Sequence, residues 1–328
     1  MSLDWTKAPA VEFDADLPPG ERIAAVPETL IYRGRELLEL IAGRFPPSYR
    51  QLARLAALRT LHRFTNEAKA LASRVEVDWQ RIFVANLSYD LVLASLGCST
   101  VAISTSDGPI LARNMDWAPE QALARASMRI DVMRGGRPVQ RTANWPGGIG
   151  VVTGLSCRGF AVALNAVFHP DGPDRLGYPV LLFLRRLLDE AKDFDDALQR
   201  LRTQRLMTAG LFMLVGREPQ QRVVVERSPR RAALRWGEED RPLVATNHYQ
   251  ALCTPSGPLA FGLTGTSADR CSALTNLVTS AGGTVDDAFL LKALSHPSVI
   301  QTITAQHVIA HPRTNALRLY VPSRLVAD

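Results

Sequence analysis

Cys98-Ser99-Thr100-Val101-Ala102-Ile103-Ser104-Thr105-Ser106-Asp107-Gly108-Pro109-Ile110-Leu111-Ala112-Arg113-Asn114-Met115-Asp116-Trp117 is the stretch on which the reading of this chain turns. Ser99 to Thr105 alternates and is rich in β-branched residues. Asp107-Gly108 is a turn signal, and Ile110 to Asn114 answers as a hairpin partner. The hydrophobic pattern changes here: Pro27 to Leu96 reads helical, and the hairpin opens a region rich in strands.

Upstream, Thr29 to Ile41 carries Leu30, Ile31, Leu37, Leu38 and Ile41 at helical spacing, and Pro46-Pro47 interrupts the pattern. Tyr49 to Val75 resumes it, with Leu52, Leu55, Leu58, Leu61 and Phe64 expected on one stripe. Trp79 to Leu96 is a third helical segment, dense in apolar residues. Downstream, Met128 to Met133 and Pro138 to Ala143 flank Arg134-Gly135-Gly136-Arg137 as a second hairpin. Gly150 to Thr153 and Phe160 to Ala166 read as a third pair. Helices are expected at Tyr178 to Ala191 and Phe194 to Leu201. Strands follow at Leu211 to Val215, Arg222 to Glu226, Ala232 to Trp236 and Leu243 to Thr246. Helices return at Ser267 to Ser280 and Val285 to Leu294, and Thr302 to Ile309 and Ala316 to Tyr320 close the chain as strands. Blocks of antiparallel strands separated by helix pairs predict a layered α+β fold, not a doubly wound parallel sheet.

The 328 residues are 46% hydrophobic and 21% charged, which excludes disorder, collagen and coiled coil as descriptions of the whole chain. No apolar run reaches the roughly 18 residues of a membrane span. Met1 to Trp5 lacks the basic-then-apolar layout of a secretory signal. Cys98, Cys157, Cys253 and Cys271 are dispersed and form no CxxC pair. Together these features predict a cytoplasmic protein with reduced thiols. The net charge is +6, and of 38 basic residues only Lys7, Lys69, Lys192 and Lys292 are lysine. Such a balance suits a non-catalytic, Arg-rich nucleic-acid-binding protein, which is the alternative from another class. The arginines are scattered, with no run of five or more basic residues, so no nucleic-acid partner is expected.

No GxSxG elbow, P-loop, GxGxxG or HExxH signature occurs. His307 and His311 fall in a strand-like segment with no carboxylate beside them in sequence, so no metal is expected, and no cofactor either. Cys157 and Cys271 read as ordinary thiols. Cys98 differs, because the hairpin pairs its strand with the one carrying Arg113 and Asp116. A guanidinium is always charged and lowers the pKa of a nearby thiol. A carboxylate can hold an ammonium group or orient a base. If Cys98 were a chain terminus, its own α-amine, with a pKa of about 8, would be that base. The same residues also suit a buried core thiol with a surface Arg–Asp pair, and spacing alone does not choose between the two.

Cys98-Ser99-Thr100 with Arg113-Asn114-Met115-Asp116 resembles the start of the mature catalytic chain in acid ceramidase and N-acylethanolamine-hydrolysing acid amidase. Those enzymes belong to the choloylglycine-hydrolase-like group of N-terminal-nucleophile hydrolases. The resemblance continues in order along the chain. Asp14-Ala15-Asp16-Leu17-Pro18-Pro19-Gly20-Glu21 is similar to the entry segment of the precursors, and Asn86-Leu87-Ser88-Tyr89-Asp90 to the segment before their cleavage point. Gly148-Ile149-Gly150-Val151-Val152-Thr153-Gly154 and Leu164-Asn165 resemble the next two strands. Thr246-Asn247 resembles the Thr-Asn-Tyr motif, and Asp269-Arg270 the Asp-Arg element.

The resemblance implies a four-layer αββα N-terminal-nucleophile fold with a helical N-terminal segment. Residues 1–97 would be a propeptide that becomes the first subunit, and residues 98–328 the catalytic subunit. Cleavage between Gly97 and Cys98 would free the nucleophile, and the two chains would stay associated. Arg113 would sit beside the thiolate and Asp116 would hold the α-amine. Asn247 and the main chain of Asn165 would donate to the oxyanion, and Arg270 would support the nucleophile electrostatically. The implied reaction is hydrolysis of an N-acyl amide with an apolar acyl chain, such as an N-acylethanolamine or ceramide-like lipid. A membrane or micelle surface would be a transient partner. Leu87, Leu91, Val92, Leu93 and Phe168 are the expected acyl-pocket walls. Within the same superfamily the alternatives are an acylase for penicillin V, bile-salt conjugates or acyl-homoserine lactones, and an acyltransferase. Three features depart from the ceramidase pattern: a longer stretch between Asn86 and Cys98, Gly97 before the nucleophile, and His248-Tyr249 after Asn247. The Gly97-Cys98 junction is more similar to fungal penicillin-type acyltransferases.

Overall fold

The computed structural model describes residues 4–43, 45–91, 96–170, 172–252, 265–281 and 284–327. The hairpin forms as expected but is longer at both ends. Strand β3 (Leu96–Thr105) pairs with β4 (Gly108–Trp117) in a register running from Leu96↔Trp117 to Thr105↔Gly108. Gly108 takes φ +105°, a conformation that disfavours a side chain, and a Cβ there would press on the Arg313 side chain at 3.0–3.2 Å. The turn therefore depends on that glycine.

This hairpin lies within a six-stranded sheet. The strand order is β1 (Trp5–Lys7), β14 (Ala316–Pro322), β13 (Thr304–His311), β4, β3 and β12 (Leu243–Ala245), with every neighbouring pair antiparallel. The second sheet has eight strands. Its order is β11 (Ala232–Trp236), β10 (Arg222–Arg227), β9 (Gly210–Val215), β8 (Phe160–Asn165), β7 (Thr153–Ser156), β6 (Arg137–Asn144), β5 (Met128–Arg134) and β2 (Ala10–Asp14). Only the β2–β5 pair in it is parallel.

Side chains alternate across the strands, and the period of two builds the layers. On one face, Ala102, Leu111, Val308 and Ala310 meet Leu155, Ala161, Ala163 and Met213 of the other sheet. On the opposite face, Val101, Ile103, Ala112 and Ile309 meet Leu274 and Val278 of α10 (Ser267–Thr279) and Leu290 and Leu294 of α11 (Asp287–Leu294). Helices α8 (Val180–Glu190) and α9 (Phe194–Thr203) cover the far face of the eight-stranded sheet. The result is the expected four-layer αββα arrangement.

The N-terminal segment forms α1 (Pro19–Ala24), α2 (Glu28–Ala42), α3 (Tyr49–Arg59), α4 (Thr65–Arg74), α5 (Trp79–Asn86) and α6 (Ser88–Leu91). Leu37, Leu38, Ile82 and Phe83 are buried in one cluster with Phe160, Val162, Leu181 and Phe183. The segment is not only helical, because β1 and β2 add an edge strand to each sheet. Neither strand was anticipated from sequence, and nor were α1, α7 (Glu120–Ala126) or α12 (Ser323–Val326).

Three local expectations need correction. The leucine stripe of 52–64 does not exist: Leu55, Leu58 and Leu61 are 58%, 58% and 87% exposed, while Ala53, Ala56 and Ala57 are buried. Leucines three apart fall about 60° short of a full turn at each step, so the series winds around the helix. Leu61 and His62 take φ of 50° and 57°, which separates α3 from α4. The helix expected over Trp79 to Leu96 stops within α6, and Leu96 already belongs to β3. The strand expected at Gly150 starts instead at Thr153. The N–H groups of Ile149 and Gly150 donate to Asn86 Oδ1 at 3.0 and 2.9 Å instead of to a ladder. No helix among the described residues is long and apolar enough to cross a membrane.

Candidate active site

Cys98 is the third residue of β3, and the chain runs through Gly97 into it as continuous strand. Its side chain points into the space between the sheets and is buried. Sγ is 3.6 Å from the Leu164 carbonyl. Arg113, on β4 opposite Thr100, is fully buried and directs Nη2 at Cys98 Sγ over 2.7 Å. Thr153 Oγ1 accepts from Arg113 Nη1 at 2.6 Å and so fixes the guanidinium. Arg113 Nε has no hydrogen-bond partner among the described residues. Burial pushes the Cys98 thiol pKa up, and Arg113 and the Ala166 N–H pull it back down.

Asp116 pairs with Gly97 across the ladder and is fully buried. Thr304 Oγ1 donates to its Oδ1 at 2.5 Å, while Oδ2 has no partner among the described residues. The β13–β4 register shifts between Thr304 and Gln306, and Thr304 Oγ1 also accepts from the Gln301 N–H at 3.0 Å. Burial raises the Asp116 pKa, opposed by the Thr304 hydrogen bond and by Arg270 and Arg113.

Asn247 follows β12 and Thr246. Its Oδ1 accepts from the Cys98 N–H at 3.2 Å and from Arg270 Nη2 at 2.8 Å, and its Nδ2 donates to the Ala166 carbonyl at 2.7 Å. One amide hydrogen on Nδ2 is left over. Arg270, buried near the start of α10, also donates from Nη1 to the Cys98 carbonyl and to Ser99 Oγ, both at 2.8 Å. Asn165 ends β8. Its side chain ties the sheets together, donating to the Ala245 and Thr246 carbonyls at 2.8 and 3.0 Å and accepting from Thr100 Oγ1 at 2.6 Å. The N–H that bears on the thiol belongs to the next residue, Ala166.

All six residues expected to carry chemistry are thus buried and grouped around Cys98. Thr153, Thr304, Ala166 and Ser267 were not singled out for it, although Ser267 Oγ accepts from the Asn247 N–H at 2.7 Å. Residues of this kind carry no sequence signal of their own, because each acts through another side chain. Of the expected acyl-pocket walls, Leu87 is buried, Leu91 is half-buried and Phe168 is 44% exposed. Val92 and Leu93 lie outside the described residues, as does Cys253. Cys157 and Cys271 are free thiols; Cys271, next to Arg270 on α10, accepts from Gln250 Nε2 at 3.4 Å. His307 is buried against Asn114, and His311 bonds to Asp287. Among the described residues no group of three or more His, Cys, Asp or Glu side chains could hold a metal.

The layers and the Cys98 hairpin define the N-terminal-nucleophile fold class. A solved structure of the Caenorhabditis elegans N-acylethanolamine-hydrolyzing acid amidase ortholog shares the fold, with a TM-score of 0.56 and 19% identity over 66% of this chain and 93% of that one. The family model of acyl-coenzyme A:6-aminopenicillanic acid acyl-transferase matches residues 103–281, more than half of the chain, so the chain belongs to that family. Among curated proteins it is 28% identical to the 40 kDa form of acyl-coenzyme A:6-aminopenicillanic-acid-acyltransferase from Emericella nidulans, over 74% of this chain and 62% of the relative. It is 25% identical to the N-acylethanolamine-hydrolyzing acid amidase of Rattus norvegicus, over 50% of this chain and 47% of the relative. The chain therefore covers between about half and three-fifths of the length of these relatives.

Proposed function

We propose that this chain is a self-cleaving cysteine amidase that hydrolyses N-acyl amides with apolar acyl chains, such as N-acylethanolamines or ceramide-like lipids. The observation that carries the reading is the Arg113 Nη2 contact of 2.7 Å on the thiol of buried Cys98, beside Asp116, which faces Gly97 across the ladder and whose Oδ2 has no partner among the described residues. A buried guanidinium beside a sulfur is suited to a thiolate, and an idle carboxylate oxygen to an ammonium group.

Maturation follows from these groups. Cys98 Sγ adds to the Gly97 carbonyl carbon, the Gly97–Cys98 C–N bond breaks, and the nitrogen leaves as an amine carrying the former thiol proton. Water then hydrolyses the thioester on Sγ, giving a Gly97 carboxylate and a free thiol. The chains 1–97 and 98–328 remain associated through their shared core and the β1–β14 and β2–β5 pairings.

In turnover the new α-amine takes the thiol proton and Asp116 holds the ammonium form. The thiolate attacks the substrate carbonyl. The Asn247 amide and the main chain at Asn165–Ala166 face the developing oxyanion, while Arg270 holds Asn247 by its Oδ1. The α-ammonium returns its proton to the departing amine, and water releases the acid from the acyl-enzyme. Loss of one oxyanion donor typically slows such a step by about 10²–10³. Leu87 and Leu91, with Val92, Leu93 and Phe168, would wall the acyl chain, delivered from a membrane or micelle surface.

An acyltransferase differs only in the last step, where an amine replaces water. The family match and the Gly97-Cys98 junction favour it as the second reading.

The test is acid release from a panel of N-acyl amides of increasing chain length. Processed protein should release acid, and Cys98→Ala should not. Release by an intact chain, or by Cys98→Ala, contradicts the mechanism.

A further inference from the structure

A cavity of about 310 Å³ lies where the N-terminal helices meet the eight-stranded sheet and α8, and none of the residues grouped around Cys98 lines it. Arg22 of α1, Arg63 just before α4 and Glu67 within α4 line one side. Arg134 at the end of β5, Arg158 in the β7–β8 turn, and Arg185 and Asp189 of α8 line the other. Five guanidiniums thus meet two carboxylates.

Both carboxylates are already engaged. Asp189 accepts from Arg63 Nη2 and from Gln140 Nε2, each at 3.2 Å, and Glu67 accepts from Arg185 Nη1 at 3.3 Å. Glu190 and Asp16 stand beside the lining and are also taken. Glu190 accepts from Arg63, Arg186 and Arg200, and Asp16 accepts the Gly135 N–H at 2.6 Å. Arg158 Nη1 holds the Asp189 and Ala191 carbonyls at 2.9 and 3.0 Å. Arg22 and Arg134 have no carboxylate partner among the described residues.

Three buried atoms of the lining also lack a hydrogen-bond partner among the described residues: Arg22 Nε, Arg185 Nε and Gln140 Oε1. Arg185 Nε stands 3.5 Å from Asp189 Oδ1, an ion pair without a hydrogen bond. Arg185 and Gln140 are only 9% and 2% exposed, and unpaired polar atoms at that depth are costly. Two of the three idle atoms are donors and one is an acceptor.

We propose that this cavity binds inorganic phosphate. Guanidiniums pair with phosphate oxygens through charge-assisted hydrogen bonds. The idle acceptor narrows the choice. Above neutral pH inorganic phosphate still carries one hydroxyl, which donates to Gln140 Oε1. Sulfate is a tetrahedral dianion with no hydroxyl and leaves that oxygen unpaired. A phosphate monoester loses its last proton with a pKa of about 6, and a diester headgroup has none to give. The bound ion also joins the two segments, because Arg22 and Arg63 belong to residues 1–97 and Arg134, Arg158 and Arg185 to residues 98–328. Cleavage before Cys98 would leave a non-covalent seam with surplus positive charge, which phosphate neutralises.

Calorimetry at about pH 8, with ionic strength held constant by sodium chloride, compares phosphate, sulfate and glycerol 3-phosphate. Phosphate should bind at one site, about tenfold or more tighter than either analogue. R22Q/R134Q, which breaks no ion pair among the described residues, should weaken phosphate by about tenfold or more. R54Q/R202Q, which removes the same charge at exposed positions, should leave it unchanged. The inference is overturned if phosphate shows no saturable binding, if either analogue binds as tightly, or if the two double variants behave alike. Uncut Cys98→Ala should bind phosphate as the processed protein does, so its titration reports on the cavity whatever becomes of the amidase reading. In the processed protein, phosphate should raise Tm more than sulfate does, and equal shifts would refute the role at the seam.

Discussion

Arg113 and Arg270 beside Cys98 are as deeply buried as Arg222 and Arg227 on β10, yet the two pairs spend their hydrogen bonds differently. Arg222 is saturated by main-chain carbonyls, of Pro219 at 2.9 Å, Arg241 at 2.7 Å, Glu238 at 2.6 Å and Glu239 at 3.0 Å. Arg227 likewise reaches the carbonyls of Leu201, Gln204 and Arg231. These two tie loops to the sheet end, and burial pushes the Arg227 guanidinium down to about 10. Arg113 instead gives a hydrogen to a thiol and leaves Nε unpartnered among the described residues, next to a carboxylate with an idle oxygen. Buried polar groups are normally satisfied, and Arg113 and Asp116 bring two idle atoms into one cluster around Cys98. Burial of arginine alone marks nothing. Its partners separate structure from chemistry.

The sharpest way to break this contrast is Arg113→Met. We expect turnover to fall by about 10²–10³, on the scale of losing one preorganised donor, with little change in Tm. A variant with a clearly lowered Tm and unchanged kcat per folded molecule would make Arg113 structural. Arg227→Met should do the reverse. Three main-chain carbonyls, that of Leu201 buried, lose their donor, so stability should fall by about 3 kcal/mol in a denaturant titration, with kcat per folded molecule kept.

Thr304→Val tests the support of Asp116. Removing the hydrogen bond that lowers the Asp116 pKa should raise it further, moving the acid limb of the pH–rate profile to higher pH and slowing turnover by about tenfold at neutral pH. Thr304→Ser should restore both, and an unmoved profile would remove Thr304 from the account.

The smallest effect concerns Asp90, which accepts the Val180 N–H at the start of α8 at 3.2 and 3.3 Å. Burial raises its pKa from 3.8 to about 8. Between those values the folded chain holds a proton on Asp90 that the unfolded chain has lost, so the contribution of Asp90 to stability is fully present below 3.8 and declines as pH rises toward 8. Asp90→Asn should flatten that slope in Tm measured against pH.

The same contrast explains what could be read in advance. The β3–β4 hairpin was legible because alternation, a turn glycine and β-branched residues all agree, and it carries Cys98, Arg113 and Asp116 on one ladder. Asn165, Asn247 and Arg270 were reachable only through ordered resemblance, since a strand-end Asn and a helix Arg are common. The N-terminal helices misled where leucine was taken for the buried residue. On α3 the packed face is alanine, which allows a closer approach, and the leucines stay outside. The edge strands β1 and β2 were not legible because three to five residues with partners more than a hundred positions away leave no local pattern. Nor was the route of the Ile149 and Gly150 N–H groups to Asn86, which belongs to tertiary structure alone.

The central claim is that Cys98 becomes a chain terminus by its own chemistry. Intact-mass measurement of purified wild type against Cys98→Ala tests it most directly. The account predicts two wild-type species that divide between Gly97 and Cys98, the larger beginning Cys-Ser-Thr, and a single uncut Cys98→Ala chain. A fully active wild type of undivided mass, or a Cys98→Ala chain cut at the same bond, would contradict it.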